Sequence, residues 1–264
     1  MRSCGRYAVV ICSLALLSTT IGQLGPIEPL DAFSVEESNQ SPLYEPAIPP
    51  ASSGPIRIMP LGDSITESSS GFGSYRYYLW QELTREGFVV DFVGSMTGTG
   101  DESAGSSEFD SDHEGHPGWR ADEVAARIED WAGTAQPDLV LLHLGTNDLA
   151  QGQPPSDVIR DLATIVDRLR IANPHVHILL AKIIPMKADG PRDVLQLNGA
   201  IAAFAAATST VDSPVECVDQ FTGFDHAGMT WDGIHPNREG NRRMATIWHE
   251  ALLPHLRVMR QATR

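Results

Sequence analysis

From residue 55 onward, short apolar runs alternate with segments whose apolar positions follow a helical period. Ile56–Leu61 reads as a first strand. Ser74 to Glu86 reads as a helix closed by Gly87 as a C-cap. Phe88–Val93 is a second strand, and a Gly/Ser/Asp-rich loop runs from Gly94 to about Gly118. Ala121 to Trp131 has Val124, Ile128 and Trp131 at helical spacing. Asp138–Leu144 is the clearest strand, nearly continuous in apolar residues, as a strand covered on both faces should be. A helix from Ser156 to Ile171 carries Val158, Leu162, Ile165 and Leu169 on one face. Val176–Ile184 is another buried strand, Val194–Ala207 an Ala-rich helix, Val215–Val218 a short last strand, and Asn237–His255 a long final helix. The alternation predicts an α/β fold: parallel strands, helices on both faces, right-handed crossovers. In such folds a ligand sits beyond the carboxyl ends of the strands.

The first 54 residues follow other patterns. Arg2 and Arg6 precede an apolar run, Tyr7–Leu17, that falls short of the roughly 20 residues a membrane span needs. Small and polar residues follow to Gly22. Residues 1–22 read as a secretory signal, with an uncleaved anchor as the alternative. Residues 23–54 hold Pro26, Pro29, Pro42, Pro46, Pro49 and Pro50 among Ser, Glu and Asn, with little apolar periodicity. Such a segment buries too little surface to offset its ordering entropy and is expected to be an extended linker. The catalytic domain is placed at 55–264, and no internal repeat or second domain is evident.

Composition narrows the function. The 264 residues are 42% hydrophobic and 20% charged, an ordinary globular balance, with a formal net charge of -15. A nucleic-acid partner would need a basic face, and none is suggested. Of the three cysteines, Cys4 and Cys12 lie in the signal, so the mature chain has no intramolecular disulfide. Cys217, between Val215 and Val218, is expected to be a small hydrophobe in a buried strand rather than a reactive thiol.

The polar, glycine-containing segments fall where the fold would gather them. Gly62-Asp63-Ser64-Ile65-Thr66 follows the first strand, Gly145-Thr146-Asn147-Asp148 the third, and Asp232-Gly233-Ile234-His235-Pro236 comes after the fifth; His116-Pro117-Gly118-Trp119 precedes the second helix. Acyl transfer needs a nucleophile, a base, an orienter for the base and donors for the developing oxyanion. Ser64 suits the nucleophile, on a tight turn that Gly62 permits. His235 suits the base, because imidazole titrates near neutrality. Asp232, three residues earlier, suits the orienter. The backbone N–H groups of Ser64 and Gly118 and the amide of Asn147 suit the oxyanion hole, where one donor is typically worth about 3 kcal/mol. This chemistry requires no cofactor or metal.

Gly-Asp-Ser, a Gly in a second block, Gly-Thr-Asn-Asp in a third and Asp-x-x-His near the C-terminus resemble the four blocks of the SGNH hydrolases, or GDSL esterases, with Ser64, Gly118, Asn147 and His235 at the namesake positions. The resemblance spans roughly residues 56 to 255. It implies a three-layer, flavodoxin-like sandwich with five parallel strands, and hydrolysis through an acyl-serine. Arg57–Ser64, Gly73-Ser74-Tyr75-Arg76, Val90–Ser95 and Asp112-His113-Glu114-Gly115-His116-Pro117-Gly118-Trp119 further resemble carbohydrate esterase family 3, whose members include acetylxylan esterases. Trp119 stands where most other SGNH enzymes have Asp or Asn.

Plainer readings compete at several positions. His113 and His116 are three apart around Gly115, with Pro117 following, so a loop shaping the acyl pocket is favoured over a metal helix. Asp101, Glu102, Glu108, Asp110 and Asp112 form an acidic loop, solvated or calcium-binding. Trp119 and Trp231 could stack on a sugar or simply pack, and His116 joins them as a candidate substrate contact. His143 reads as a satisfied core histidine, His175 and His177 as unremarkable, Asp63 as a structural partner, and Arg257, Arg260 and Arg264 as a solvated helix end. The expectation is a secreted, monomeric serine esterase that removes acetyl or other short acyl groups from an acylated polysaccharide or oligosaccharide, with acetylated xylan as the expected substrate. The alternatives are a lipase, lysophospholipase or thioesterase on the same scaffold, or a non-catalytic carbohydrate binder.

Overall fold

A computed structural model describes residues 54–68, 73–98, 109–187 and 191–262. The expected signal (1–22) and nearly all of the expected linker (23–54) lie outside the described residues.

The strands are β1 (Ile56–Gly62), β2 (Val90–Phe92), β3 (Glu114–Gly115), β4 (Leu139–His143), β5 (His177–Lys182) and β6 (Val215–Asp219). They form one sheet ordered β2-β1-β4-β5-β6, and every pairing is parallel. β2 pairs with β1 from Ile56 to Ile58, and β3 then pairs with Leu61 and Gly62. Two residues long, β3 carries no periodic signal and reads in sequence as loop. Without it the order is that of a flavodoxin-like sheet, whose switch point lies between β1 and β4.

The helices are α1 (Ser64–Glu67), α2 (Tyr75–Arg85), α3 (Ala121–Ala125), α4 (Ile128–Ala135), α5 (Thr146–Ala150), α6 (Pro155–Ala172), α7 (Pro191–Thr208), α8 (His226–Met229) and α9 (Arg238–Ala262). Alternate strand residues feed two cores, because side chains in a strand alternate between faces. Met59, Leu61, Val140, Leu142, Ile178 and Leu180 face α3, α4, α6 and α7. Ile58, Leu139, Leu141, Leu179 and Ala181 face α2 and α9, where Tyr75, Leu79, Leu83, Met244, Trp248 and Leu252 fill the space.

Three expectations need correction. The helix expected at Ala121–Trp131 is two, broken at Ala126 and Arg127; Val124 and Ile128 both stay buried across the break, so the apolar spacing hides it. α9 runs past His255 and through Pro254, with Leu252 and Leu256 still in the core. Cys217 is exposed, not buried: β6 is the outer strand, and its burial falls on Val215 and Val218 instead. Arg260 is exposed, as a solvated helix end should be, and its guanidinium also lies over the Phe88 ring.

Candidate active site

β1 delivers Ser64 at the switch point. Gly62 lies so close to β4 that a Cβ would stand 2.4 Å from the His143 carbonyl oxygen and from Thr66 Oγ1, so no other residue fits. The chain turns at once into α1, which Asp63 caps by accepting the Ile65 N–H at 2.9 Å. Asp63 is fully buried, and burial pushes its carboxyl up to about 7 against the lowering effect of that N–H and of His235. Thr66 and Glu67 are held from below by Arg76. This buried guanidinium donates to the carbonyls of Thr66, Glu67, Gly98 and Ser111 at 2.7 to 2.9 Å.

From the other end of the chain, the turn before α9 brings His235 to Ser64. His235 Nε2 lies 2.9 Å from Ser64 Oγ across 171 residues of sequence. Its Nδ1 lies 2.7 Å from Asp232 Oδ2. Asp232 Oδ1 accepts the backbone N–H groups of Ile234 and His235 at 2.9 and 2.8 Å. Partial burial works to raise the Asp232 carboxyl, but the His235 and Ile234 donors outweigh it and leave it below the usual carboxylate range. Ser64, His235 and Asp232 therefore form one hydrogen-bonded series, the arrangement a serine nucleophile needs for its base and orienter.

The expected oxyanion donors come from two neighbouring segments. Asn147 is in the first turn of α5, directly beyond β4. Its Nδ2 donates to the Trp119 carbonyl at 2.9 Å and lies 3.4 Å from Asp63 Oδ2. Gly118 occupies the third position of a turn from His116 to Trp119, closed by the Trp119 N–H on the His116 carbonyl at 3.2 Å. Pro117 suits the second position, and the Gly118 φ of +81° suits the third. Asp148, also on α5, takes the Ala121 N–H on both oxygens; burial raises it to about 6.

Of the expected substrate contacts, only Trp231 is well exposed, at 51%, with its ring nearly parallel to that of His235. Trp119 is half-buried, packed against the core and beside the rings of His116 and Trp131. His116 is not presented to a substrate. It is 8% exposed, stacked on Trp131, with Nε2 on the Glu114 carboxylate at 2.6 Å. His113 accepts the Gly115 N–H, and burial drives its pKa down to about 3. His143 ends β4, accepts the Ile184 N–H and is lowered by burial to about 4. His177 is more engaged than its sequence suggested: its Nδ1 lies 3.2 Å from that of His255. Among the described residues, no group of three or more His, Cys, Asp or Glu is arranged to hold a metal. Asp101, Glu102 and Glu108 of the acidic loop lie outside those residues; Asp110 caps the Phe92 N–H. Glu114, Ser95 and Arg76 brace the segments around Ser64 and Gly118 through hydrogen bonds that no local sequence pattern marks.

A flavodoxin-like sheet with a Ser-His-Asp series at its switch point defines an acyl-transfer hydrolase scaffold. Residues 61–243 match the GDSL-like lipase/acylhydrolase family, and the chain belongs to that family. It is similar to a multidomain esterase of Ruminococcus flavefaciens, 30% identical over 241 residues, which cover 81% of this chain and 31% of the relative. The chain thus spans about a third of that relative's length. Among solved structures it resembles a carbohydrate esterase family 3 protein from Talaromyces cellulolyticus (33% identity, TM-score 0.69, covering 76% of this chain and 98% of that one). It also resembles a family 3 carbohydrate esterase of Clostridium thermocellum (31% identity, TM-score 0.65, 77% and 98%).

Proposed function

We propose that this chain is an exported serine esterase that removes acetyl groups from carbohydrate, with acetylated xylan as the first substrate to test. The observation that carries the reading is the unbroken series Asp232–His235–Ser64 at 2.7 and 2.9 Å. Family 3 carbohydrate esterases as structural neighbours supply the substrate class.

Ser64 Oγ attacks the acetyl carbonyl as His235 Nε2 takes its proton. Asp232, on Nδ1, holds the ring's tautomer and stabilises the imidazolium. The Ser64 and Gly118 N–H groups and the Asn147 amide receive the oxyanion. The bond from carbonyl carbon to sugar oxygen breaks, and His235 returns its proton to that oxygen. Water, deprotonated by His235, then attacks the acetyl-serine; the bond from Ser64 Oγ to the carbonyl carbon breaks, Oγ takes the proton from His235, and acetate leaves. Export is supported by the basic start and short apolar run of residues 1–22. The test is acetate release from acetylated xylan by the full chain, with Ser64→Ala alongside. Release that the substitution abolishes is expected. Release that survives it would remove Ser64 from the mechanism.

A further inference from the structure

Glu114 is a fully buried carboxylate that the proposed chemistry does not use. It sits on β3, against the last residues of β1. Its oxygens receive the Ser95 N–H at 2.7 Å, the Ser95 hydroxyl at 2.6 Å and His116 Nε2 at 2.6 Å. A buried carboxylate is tolerated only when its lone pairs are answered in this way. His116 is pinned on three further sides. Its N–H donates to the Gly62 carbonyl at 2.9 Å, its ring stacks on Trp131 at 4.3 Å and 12°, and its carbonyl closes the turn that carries Gly118. The next residue, Trp119, gives its carbonyl to Asn147. The two oxyanion donors outside Ser64 therefore both hang from the segment that His116 anchors.

We infer that Glu114 and His116 form a positioning pair, whose buried bond holds the Gly118 turn, and through Trp119 the Asn147 amide, in register with Ser64. The inference rests on the reading of Ser64 as nucleophile. It differs from a substrate-contact role for His116, which would act on binding. A displaced oxyanion donor weakens only the transition state, so the pair acts on kcat and not on KM.

Three full-chain variants test this well below their melting temperatures: Glu114→Gln, His116→Phe, which keeps the stack on Trp131, and Ser95→Ala, which removes one donor to Glu114 at an exposed residue. Hydrolysis of a small chromogenic acetate and the rate at which a fluorophosphonate labels Ser64 are both measured. Removing one oxyanion donor outright typically costs 100-fold or more, so displacement should cost about ten-fold in kcat for the first two variants and about three-fold for Ser95→Ala. KM should stay within about two-fold, and labelling should slow in parallel, because it passes through the same oxyanion site. Variants that melt earlier yet keep wild-type kcat and labelling rate would overturn the inference. So would a rise in KM at constant kcat. If the wild type is labelled at Ser64 but cleaves no acetate ester, the substrate reading fails alone and the labelling rates still decide the pair. A wild type that is not labelled overturns both.

Discussion

Asp232 holds His235 twice, by the ring and by the main chain. One carboxylate oxygen lies 2.7 Å from Nδ1 and the other takes the His235 N–H at 2.8 Å. Orientation and tautomer are thus set by the same carboxylate. Asp232→Asn keeps the N–H bond through its carbonyl oxygen but turns an amide donor toward Nδ1. That favours the tautomer with its proton on Nε2, which cannot accept from Ser64. Where a triad acid has been neutralised in this way, kcat falls by about 10⁴. Both side chains here are about a quarter exposed, so water screens part of the charge effect and a fall of about 10² to 10⁴ is expected. Initial rates on a chromogenic acetate measure it; a loss under ten-fold would show that Asp232 does not orient the base.

Buried titratable groups around Ser64 make opposite demands of pH. Asp63 is raised to about 7, so the folded state favours its protonated form. Its contribution to stability is full below the ordinary carboxylate pKa and is lost as pH rises toward 7. His143 is lowered to about 4, so its contribution is full above the ordinary imidazole pKa and is lost as pH falls toward 4. Between about pH 4 and 6.5 the two partly cancel. Asp63→Asn should therefore leave a protein whose melting temperature falls more steeply on acidification than the wild type's. His143→Gln, which keeps an acceptor for the Ile184 N–H, should fall less steeply. Melting curves across pH 4 to 8 decide it, and parallel curves for either variant would mean that its residue does not titrate in that window.

Gly62 and Gly118 are both glycines beside the site, and alanine should affect them differently. At Gly62 the added carbon meets the His143 carbonyl and Thr66 at 2.4 Å, and the backbone must move. Gly62→Ala should cost about 3 kcal/mol or more and can prevent folding. At Gly118 the space is open and only the φ of +81° resists, so Gly118→Ala should cost about 1 to 2 kcal/mol. The smaller loss of stability should come with the fall in kcat, because this residue's N–H is a proposed oxyanion donor. Denaturant unfolding and steady-state kinetics on the pair separate the two effects.

The long elements were legible because burial imposes a period. Leu139–His143 is covered on both faces and reads as an apolar run, while α6 shows one face through Val158, Leu162, Ile165 and Leu169. That Ser64, Asn147, Asp232 and His235 would gather in one place was legible because glycine-containing turns beyond strand ends mark where polar side chains can meet. What stayed hidden depends on contacts between distant segments. Nothing local marks Glu114–Gly115 as a strand; its partner is Leu61–Gly62. His116 looked like a ligand contact because its burial depends on Trp131, which packs from α4. The exposure of Cys217 follows from β6 being the sheet's edge, a property of strand order and not of its own neighbours.

Substitution of Trp231 tests recognition of the proposed polysaccharide apart from the chemistry. The residue is half-exposed, adjoins Asp232 in the chain and lies nearly parallel to the His235 ring at 5.8 Å. An exposed indole next to His235, the proposed base, suits the apolar face of a sugar ring, while its contact with His235 would serve every substrate alike. Trp231→Ala should therefore raise KM for acetylated xylan by about three- to ten-fold, the 0.6 to 1.4 kcal/mol expected of one lost aromatic contact. Any loosening of His235 should lower rates on the polymer and on a small acetate together. The ratio of kcat/KM on the two substrates isolates the sugar contact. A ratio that falls with the substitution places the polysaccharide on this ring; an unchanged ratio means that Trp231 acts only on His235.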